Sequence, residues 1–466
     1  MSEAQHPVVG RDKVGAHNAL FRDLDALIRF AETNSFRDLA KLADERLPRC
    51  NVGRPRRYSI PMLLLLDMWA AHVGLPEALD TFKRSYQEIT RALFESSAGI
   101  DGLDLKPLVP SQPAAKRFKA AFRQLRDLNE DILELLESRA AEQAQHINLG
   151  VNLGSELLPS KEAWHVLDGV TVRAASSYKP GDQFVAKHTG ELRRRRCDVE
   201  AQNKVSGDGR NTYGHSFVDG ILSSRDNPNE RIITTIESLD RSDPARNSET
   251  DALLRLAPRL AARYPRAKGL MYDKAVRGST KTKLARLGFN VCTPPYKTAV
   301  GKPKKPHLAA YLESKGLRIP IYAHLGSFWI DTPDGLFKLE RTALIQRKRK
   351  DGVKPYLRLR VPAHAPVDRR LTGTIKDVAM DVSDTGLDLG EHVQPIDPES
   401  DEFKNTMRFR VEIESVHNHL KRNLNQPGSR SRSYGRIATH VDLLYMAFIA
   451  NEKAVMHFEH RTRRTT

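Results

Sequence analysis

The order of apolar runs between residues 160 and 275 constrains the fold more than any other feature of this 466-residue chain. Alternating apolar and β-branched residues predict strands, and a periodic apolar stripe predicts a helix just before the last strand. The predicted strands are 166–173, 215–222, 231–237 and 269–272, and the predicted helix is 248–263. Three successive strands followed by a helix and a strand predict an α/β fold, with a mixed sheet flanked by helices.

Two of these predicted strands carry an aspartate. Asp168 lies inside the first strand, and Asp273 follows the last one. Asp219 and Asp243 are competing acids, but each precedes a glycine or a proline and is interpreted as a turn residue. Asp168 and Asp273 are therefore the preferred candidates for chemistry.

A third acid lies near the C-terminal end, in a stretch predicted to form one helix. Asp397 and Pro398 predict the helix start, and the Gln426-Pro427-Gly428 sequence predicts its end. Charged side chains at steps of four, three and four residues fall on one face: Arg410, Glu414, His417 and Lys421. A solvated, salt-bridged helix face is the alternative interpretation of this pattern.

The three acids and the charged face resemble the motifs of DDE transposases of the bacterial insertion-sequence type, which carry a Tyr-Arg-Glu-Lys signature around their last acid. Three residues separate Arg410 from Glu414 and six separate Glu414 from Lys421, as in that signature. Met407 stands where the signature has its tyrosine. The resemblance covers about residues 160–450.

The resemblance implies a ribonuclease-H-like catalytic domain in which Asp168, Asp273 and Glu414 are the catalytic acids. Carboxylate oxygens are the ligands that Mg²⁺ prefers, so the same three residues are expected to hold two Mg²⁺ (or Mn²⁺) ions. Such ions activate the attacking water or 3′-hydroxyl and stabilise the leaving oxygen when a DNA phosphodiester is cleaved and joined at element ends. Two alternatives stay open. One is a non-catalytic DNA-binding protein derived from a transposase, and the other is a metal-dependent nuclease of the same fold; the presence of all three acids favours an enzyme.

Composition favours a polyanionic partner. Lys and Arg total 75 against 58 Asp and Glu, a formal net charge of +17. The most apolar run, 60–71, contains Asp67 and is too short to span a bilayer, and no signal peptide is recognised. The expected partner is double-stranded DNA, both terminal inverted repeats and target, bound by a homodimer and without a membrane. Cys50, Cys197 and Cys292 are far apart, which favours a reducing, cytoplasmic location.

Residues 1–150 are predicted to form a helical, DNA-binding domain. Two short helices are expected within 18–47, an apolar helix at 60–73, and one long helix after Ser111. The basic turn that precedes the apolar helix contributes Arg54, Arg56 and Arg57 as candidate DNA contacts. A plain helical bundle with a charged linker is the alternative, and the resemblance favours DNA binding.

The catalytic domain is predicted at 160–300 and 395–460, with an antiparallel β insertion at 301–394 between Asp273 and Glu414. The excursion at 174–213 is interpreted as a surface loop, either solvated or tracking a phosphate backbone. Trp329 is interpreted as core, with stacking on an unpaired base as the functional alternative. Further candidate DNA contacts are Arg193, Arg194, Arg195, Arg196, Lys304, Lys305, Trp329, Arg410, His417 and Lys421.

Overall fold

A computed structural model describes most of the chain. The described residues are 24–47, 59–72, 112–125, 127–205, 209, 211–240, 242–273, 276–294, 307–324, 326–350, 352–383, 386, 388–390, 394–423 and 430–465. None of the described helices is long and apolar enough to cross a membrane.

Helices and sheets are both present, so the α/β class predicted from the sequence is confirmed. The described helices are α1 (Leu24–Ala31), α2 (Asn34–Arg46), α3 (Ile60–His72), α4 (Gln112–Phe122), α5 (Leu128–His146), α6 (Glu249–Arg263), α7 (Gly278–Arg286), α8 (Asp401–Met407), α9 (Arg410–Asn423) and α10 (Arg436–Thr465). The described strands are β1 (Trp164–Arg173), β2 (Gln183–Val185), β3 (Leu192–Arg194), β4 (Gln202–Val205), β5 (Asn211–Ser223), β6 (Arg231–Ser238), β7 (Gly269–Met271), β8 (Asn290–Cys292), β9 (His307–Ser314), β10 (Leu317–His324), β11 (Ser327–Thr332), β12 (Gly335–Lys338), β13 (Glu340–Arg349), β14 (Gly352–Arg360) and β15 (Ile375–Ala379).

The chain divides into two compact units. Unit 1 comprises residues 1–143, 170–216 and 416–466, and unit 2 comprises 144–169 and 217–415. The main sheet has the order β4-β5-β1-β7-β8, with β6 also paired to β5. β7 runs parallel to both β1 and β8, whereas β5 is antiparallel to β4 and β6, so the sheet is mixed as predicted.

The insertion within unit 2 consists of antiparallel sheets. β9 to β12 form one sheet in the order β12-β11-β10-β9, and β13 to β15 form another in the order β13-β14-β15. Their inward side chains share one apolar core, which includes Phe328, Leu344 and Leu357. The antiparallel character predicted for this part of the chain is confirmed.

Two predictions of continuous helices are wrong. The stretch predicted as one helix from Asp397 is α8 and α9, with a turn at residues 408–409 between them. The N-cap is Ser400, whose Oγ accepts a hydrogen bond from the Phe403 backbone N at 3.1 Å, whereas Asp397 pairs with Lys338 at 2.5 Å. The helix predicted after Ser111 is likewise α4 and α5, separated by a turn that ends on Asp127 at a φ of +57°.

The excursion at 174–213 is also more ordered than predicted, because it contains three short strands. β2 pairs with β3 in a hairpin, and β4 extends the main sheet along the first part of β5. Asp198 and His215, both buried, are joined within unit 1 by a 2.9 Å contact between Oδ2 and Nε2. The described cysteines, Cys197 and Cys292, are free thiols.

A buried ionic cluster joins α3, α4 and α10 in unit 1. The Arg123 guanidinium lies 2.7 Å from Asp442 and 2.9 Å from Asp67, and Arg432 lies 2.9 Å from Asp67 and 3.0 Å from Asp442. Burial alone would raise the pKa of Asp442, but Arg123 and Arg432 outweigh burial and hold that pKa well below its usual range. Lys119 adds a third cation, and burial followed by Arg432 and Arg123 lowers the pKa of Lys119 to about 8.

We expect Lys119→Met to stabilise unit 1 at neutral pH. An unfolded lysine has a pKa of about 10.4, so the lower pKa in the folded state means that charged Lys119 opposes folding below pH 8. The free energy of unfolding should rise by about 1–2 kcal/mol at pH 7. That gain should shrink as the pH rises from 8 to 10, because wild-type Lys119 then loses its proton. Urea denaturation at pH 7 and pH 9.5 checks this, and an equal gain at both values would contradict it.

Candidate active site

Asp168 and Asp273 lie on neighbouring parallel strands in unit 2. β1 pairs with β7 as far as Val166 opposite Met271; Asp168 lies two residues beyond that pair on β1, and Asp273 lies two residues beyond the end of β7. Adjacent strands are about 4.8 Å apart, and side chains two residues apart in a strand share a face. Two acids that are more than a hundred residues apart in the sequence thus lie near the carboxyl end of β7, and the charges of both act on Tyr272.

Helix α9 meets these acids through Arg410. The Nη2 atom of Arg410 lies 3.5 Å from Oδ2 of Asp168, and the two side chains are 29% and 14% exposed. Asp168 Oδ1 also accepts a hydrogen bond from the Gly169 backbone N at 3.0 Å. One carboxylate oxygen is therefore held by the backbone of β1, and the other faces a guanidinium.

Glu412 fixes the opposite side of α9. Lys161 Nζ donates a hydrogen bond to Glu412 Oε1, and Arg231 Nε lies 3.5 Å from Glu412 Oε2. Arg231 Nη1 also donates to Ser415 Oγ at 3.1 Å. Two cations from the strand side of unit 2 thus set the rotation of this helix.

That rotation decides where Glu414 points. A step of two residues turns a helix by about 200° and a step of four by about 400°. Because Arg410 and Glu412 face opposite sides, Glu414 turns back to the side of Arg410, about 6 Å further along the axis. Glu414 is exposed, whereas the side chain of Glu412 is 17% exposed and engaged in ion pairs. Glu414 therefore faces the side on which Asp168 lies.

A fourth acid, Glu249, lies against Gly169, on the face of β1 opposite to the Asp168 side chain, and was missed by the sequence analysis. A Cβ added at Gly169 would lie 2.5–2.8 Å from the Glu249 carboxylate, so this acid occupies the space that glycine leaves. Tyr272 donates its hydroxyl to Glu249 Oε2 at 3.1 Å. Burial, then the charges of Glu249, Asp168 and Asp273, raises the pKa of Tyr272 well above its usual value. The available signal was a glycine inside a strand, which marks a close approach.

Met407, at the position of the missing signature tyrosine, packs inside unit 2. Its Sδ lies 3.6 Å from Sγ of Cys292 at the end of β8. Burial raises the pKa of the Cys292 thiol to about 12, so this thiol stays protonated at neutral pH. Position 407 thus makes an apolar packing contact in this chain.

Asp168, Asp273 and Glu414 each offer carboxylate oxygens, which are the ligands that a hard divalent cation prefers. Across the described residues, no three acidic, histidine or cysteine side chains already stand in a group that could hold a metal ion. The structure shows the negative charge of Asp168 compensated in part by the guanidinium of Arg410. The chemistry of the residues therefore fits Mg²⁺.

The predicted DNA contacts of unit 1 lie in varied settings. Arg195 is stacked between Tyr178 and Phe184, with its guanidinium carbon 4.5 Å from each ring centroid, and Arg196 stacks on Tyr434 at 4.1 Å. The remaining members of the arginine run, Arg193 and Arg194, are exposed, and Arg193 pairs with Glu191 at 2.8 Å. His417 is buried. Candidates outside the described residues or side chains are Arg54, Arg56, Arg57, Lys304, Lys305 and Lys421.

Trp329 is half-buried rather than fully enclosed, and it lines a cavity of about 1100 Å³ in the β insertion. Its indole Nε1 donates to the His324 carbonyl at 3.3 Å, and Lys338 Nζ lies 5.5 Å from its ring centroid. The cavity also receives Phe337 and Arg360. It therefore combines aromatic faces with cations.

No protein-family model matches the chain, and a search of curated proteins finds no significant match.

Proposed function

We propose that the chain is a DDE-type DNA transposase that cleaves DNA at the ends of an insertion sequence and joins the freed strands to target DNA, with Mg²⁺. The observation that supports this proposal is that Asp168 on β1 and Asp273 just after the neighbouring parallel strand β7 both lie near Tyr272, with Arg410 of α9 against Asp168. In chain order, the proposed acids come from β1, from the residues just after β7 and from helix α9, which is the order expected for such an enzyme.

Three acids would hold the metal: Asp168, Asp273 and Glu414. Bound Mg²⁺ would supply Lewis-acid activation of the attacking oxygen and stabilisation of the leaving oxygen. Arg410 lies 3.5 Å from Asp168, so it is suited to hold a phosphate oxygen of the DNA backbone near that acid. Lys161 and Arg231 keep Glu412 on the far side of α9, and so they orient the face that carries Glu414.

DNA as the partner is supported by charge and by two surfaces. The formal net charge of +17 favours a polyanion. Exposed Arg193 and Arg194 in unit 1 offer guanidinium groups to phosphates. In unit 2, the aromatic face of Trp329 in its cavity suits an unpaired base, whereas the nearby Lys338 and Arg360 are paired with carboxylates.

The test is a supercoiled plasmid that carries the DNA flanking the gene, incubated with the protein and Mg²⁺. We expect excision and joining, and complete loss of both when EDTA removes the metal. Cleavage without joining would replace the transposase with a nuclease. A mobility shift without any cleavage would show a DNA-binding protein, and neither shift nor cleavage would overturn the proposal.

A further inference from the structure

The hairpin of β2 and β3 in unit 1 exposes one face that carries no acid. Val185 pairs with Leu192, and Gln183 pairs with Arg194, in the register of the two strands. Residues two apart in a strand share a face, so these four side chains lie together on what we call the open face. Val185 and Leu192 are 61% and 65% exposed, and Gln183 and Arg194 are exposed beside them. Two adjacent aliphatic side chains thus stand next to a cation and an amide.

The opposite face of the hairpin is occupied by contacts within the chain. Phe184 lies on that face, and the Arg195 guanidinium carbon is 4.5 Å from the ring centroids of both Phe184 and Tyr178. Arg193, which is opposite Phe184 in the register, donates a hydrogen bond to Glu191 Oε2 at 2.8 Å. Stacking and ion pairing therefore cover one face of the hairpin, and the open face is the side that a partner can approach.

The charges of the hairpin favour a polyanion as that partner. Residues 183–194 contain three permanent cations, Lys187, Arg193 and Arg194, against the single acid Glu191. Glu191 is paired with Arg193, so the exposed Lys187 and Arg194 leave the remaining surface positive. A second copy of the chain would bring the same cations and a net charge of +17, which opposes pairing of two such faces.

We propose that the open face of this hairpin enters the major groove of duplex DNA, where Val185 and Leu192 contact thymine methyl groups and Arg194 binds a flanking phosphate. The inference rests on the proposed function, because it takes duplex DNA as the partner. The major groove is about 12 Å wide and admits a two-stranded β-ribbon, and the strands of a hairpin are about 4.8 Å apart. Thymine methyl groups lie in this groove and are its apolar feature. They therefore suit the two exposed aliphatic side chains.

The test compares two duplexes that differ only in these methyl groups. The full chain is titrated, in EDTA to prevent cleavage, with a fluorescein-labelled duplex of the DNA that flanks the gene. One duplex contains thymine and the other contains uracil in its place. We expect wild type to bind the uracil duplex more weakly, by about fourfold for each methyl group that is buried, the contribution of one buried CH₂ group.

The double variant Val185→Ser, Leu192→Ser removes both aliphatic side chains and keeps every charge. It should bind the thymine and uracil duplexes equally, because it has no methyl contact to lose. Its affinity for the uracil duplex should equal that of wild type, which also shows that the hairpin still folds. Val205→Ser is the matched control, since Val205 on β4 is 66% exposed but lies outside the hairpin, and it should keep the wild-type preference for thymine.

Arg194→Gln tests the phosphate contact separately. It should weaken binding of both duplexes alike and reduce the slope of log Kd against log salt concentration by about one, the value for one lost phosphate contact. Arg266→Gln removes another exposed arginine, in unit 2, and should leave the slope unchanged. Equal slopes for Arg194→Gln and wild type would overturn the role of Arg194.

The failures of this inference and of the proposed function are distinguishable. Equal binding of the two duplexes by wild type overturns the major-groove contact and leaves the proposed function standing, because DNA is still bound. Absence of DNA binding by wild type overturns both. If the double serine variant loses self-association in analytical ultracentrifugation without DNA, and keeps the wild-type preference for thymine, the open face is an interface between copies of the chain and the inference is overturned.

Discussion

Glu414→Gln and Asp168→Asn should each abolish Mg²⁺-dependent DNA cleavage by orders of magnitude while leaving DNA binding intact. Each change removes one carboxylate of the proposed metal site, in which Arg410 faces Asp168, and a hard cation binds a neutral amide far less well than a carboxylate. Neither change removes a cation that binds phosphate, and losing a negative charge favours a polyanion. Cleavage of plasmid ends at saturating Mg²⁺ and a mobility-shift titration measure the two properties.

Glu412→Gln is the control for Glu414→Gln, since it removes the same charge two residues away. The Glu412 carboxylate forms ion pairs with Lys161 and Arg231, and a glutamine at this position still accepts a hydrogen bond from one of them. We expect cleavage within a few-fold of wild type, with a lower melting temperature. The opposite ranking, with both variants shown to be folded, would mean that α9 presents Glu412 to the site. Loss of DNA binding together with cleavage in Asp168→Asn would instead give the acids a structural role.

Arg123→Met should be the most destabilising single change in unit 1. Arg123 contributes hydrogen bonds to both carboxylates of the buried cluster, to Ser433 Oγ at 3.0 Å and to the Ala438 carbonyl at 2.8 Å. Removing it leaves Asp67 and Asp442 buried with too little positive charge, and breaking a buried pair costs about 3–5 kcal/mol. Hydrogen exchange of α3 and α10 should then show loss of protection of this size.

Lys41→Met serves as the comparison for Arg123→Met. Lys41 pairs with Glu45 at 3.8 Å on the exposed surface of α2, and such pairs contribute about 0–1 kcal/mol. Protection of α3 and α10 should therefore stay at the wild-type level. Equal effects of the two substitutions would show that the buried cluster adds no more than a surface pair does.

Local sequence pattern was enough to predict the strand that carries Asp168 and two of the elements that follow it in the chain. The alternation in 166–173 and 231–237, and the apolar stripe in 248–263, match β1, β6 and α6 closely, because period-2 and period-3.6 spacing are enforced by burial of one face. Residue spacing around Glu414 likewise separated it from Glu412, because helical rotation is a local property.

Contacts between distant segments were decided only by the tertiary structure. Arg123 and Asp442 are more than three hundred residues apart, and no local period links them. Glu249 could not be found from its own helix, because its approach to β1 depends on the space at Gly169. The start of helix α8 also has a tertiary cause, since Asp397 is bound by Lys338 of β12 and the cap passes to Ser400. The sequence by itself thus determined which segments form strands and helices and which acids they carry, and long-range packing decided which of those acids meet.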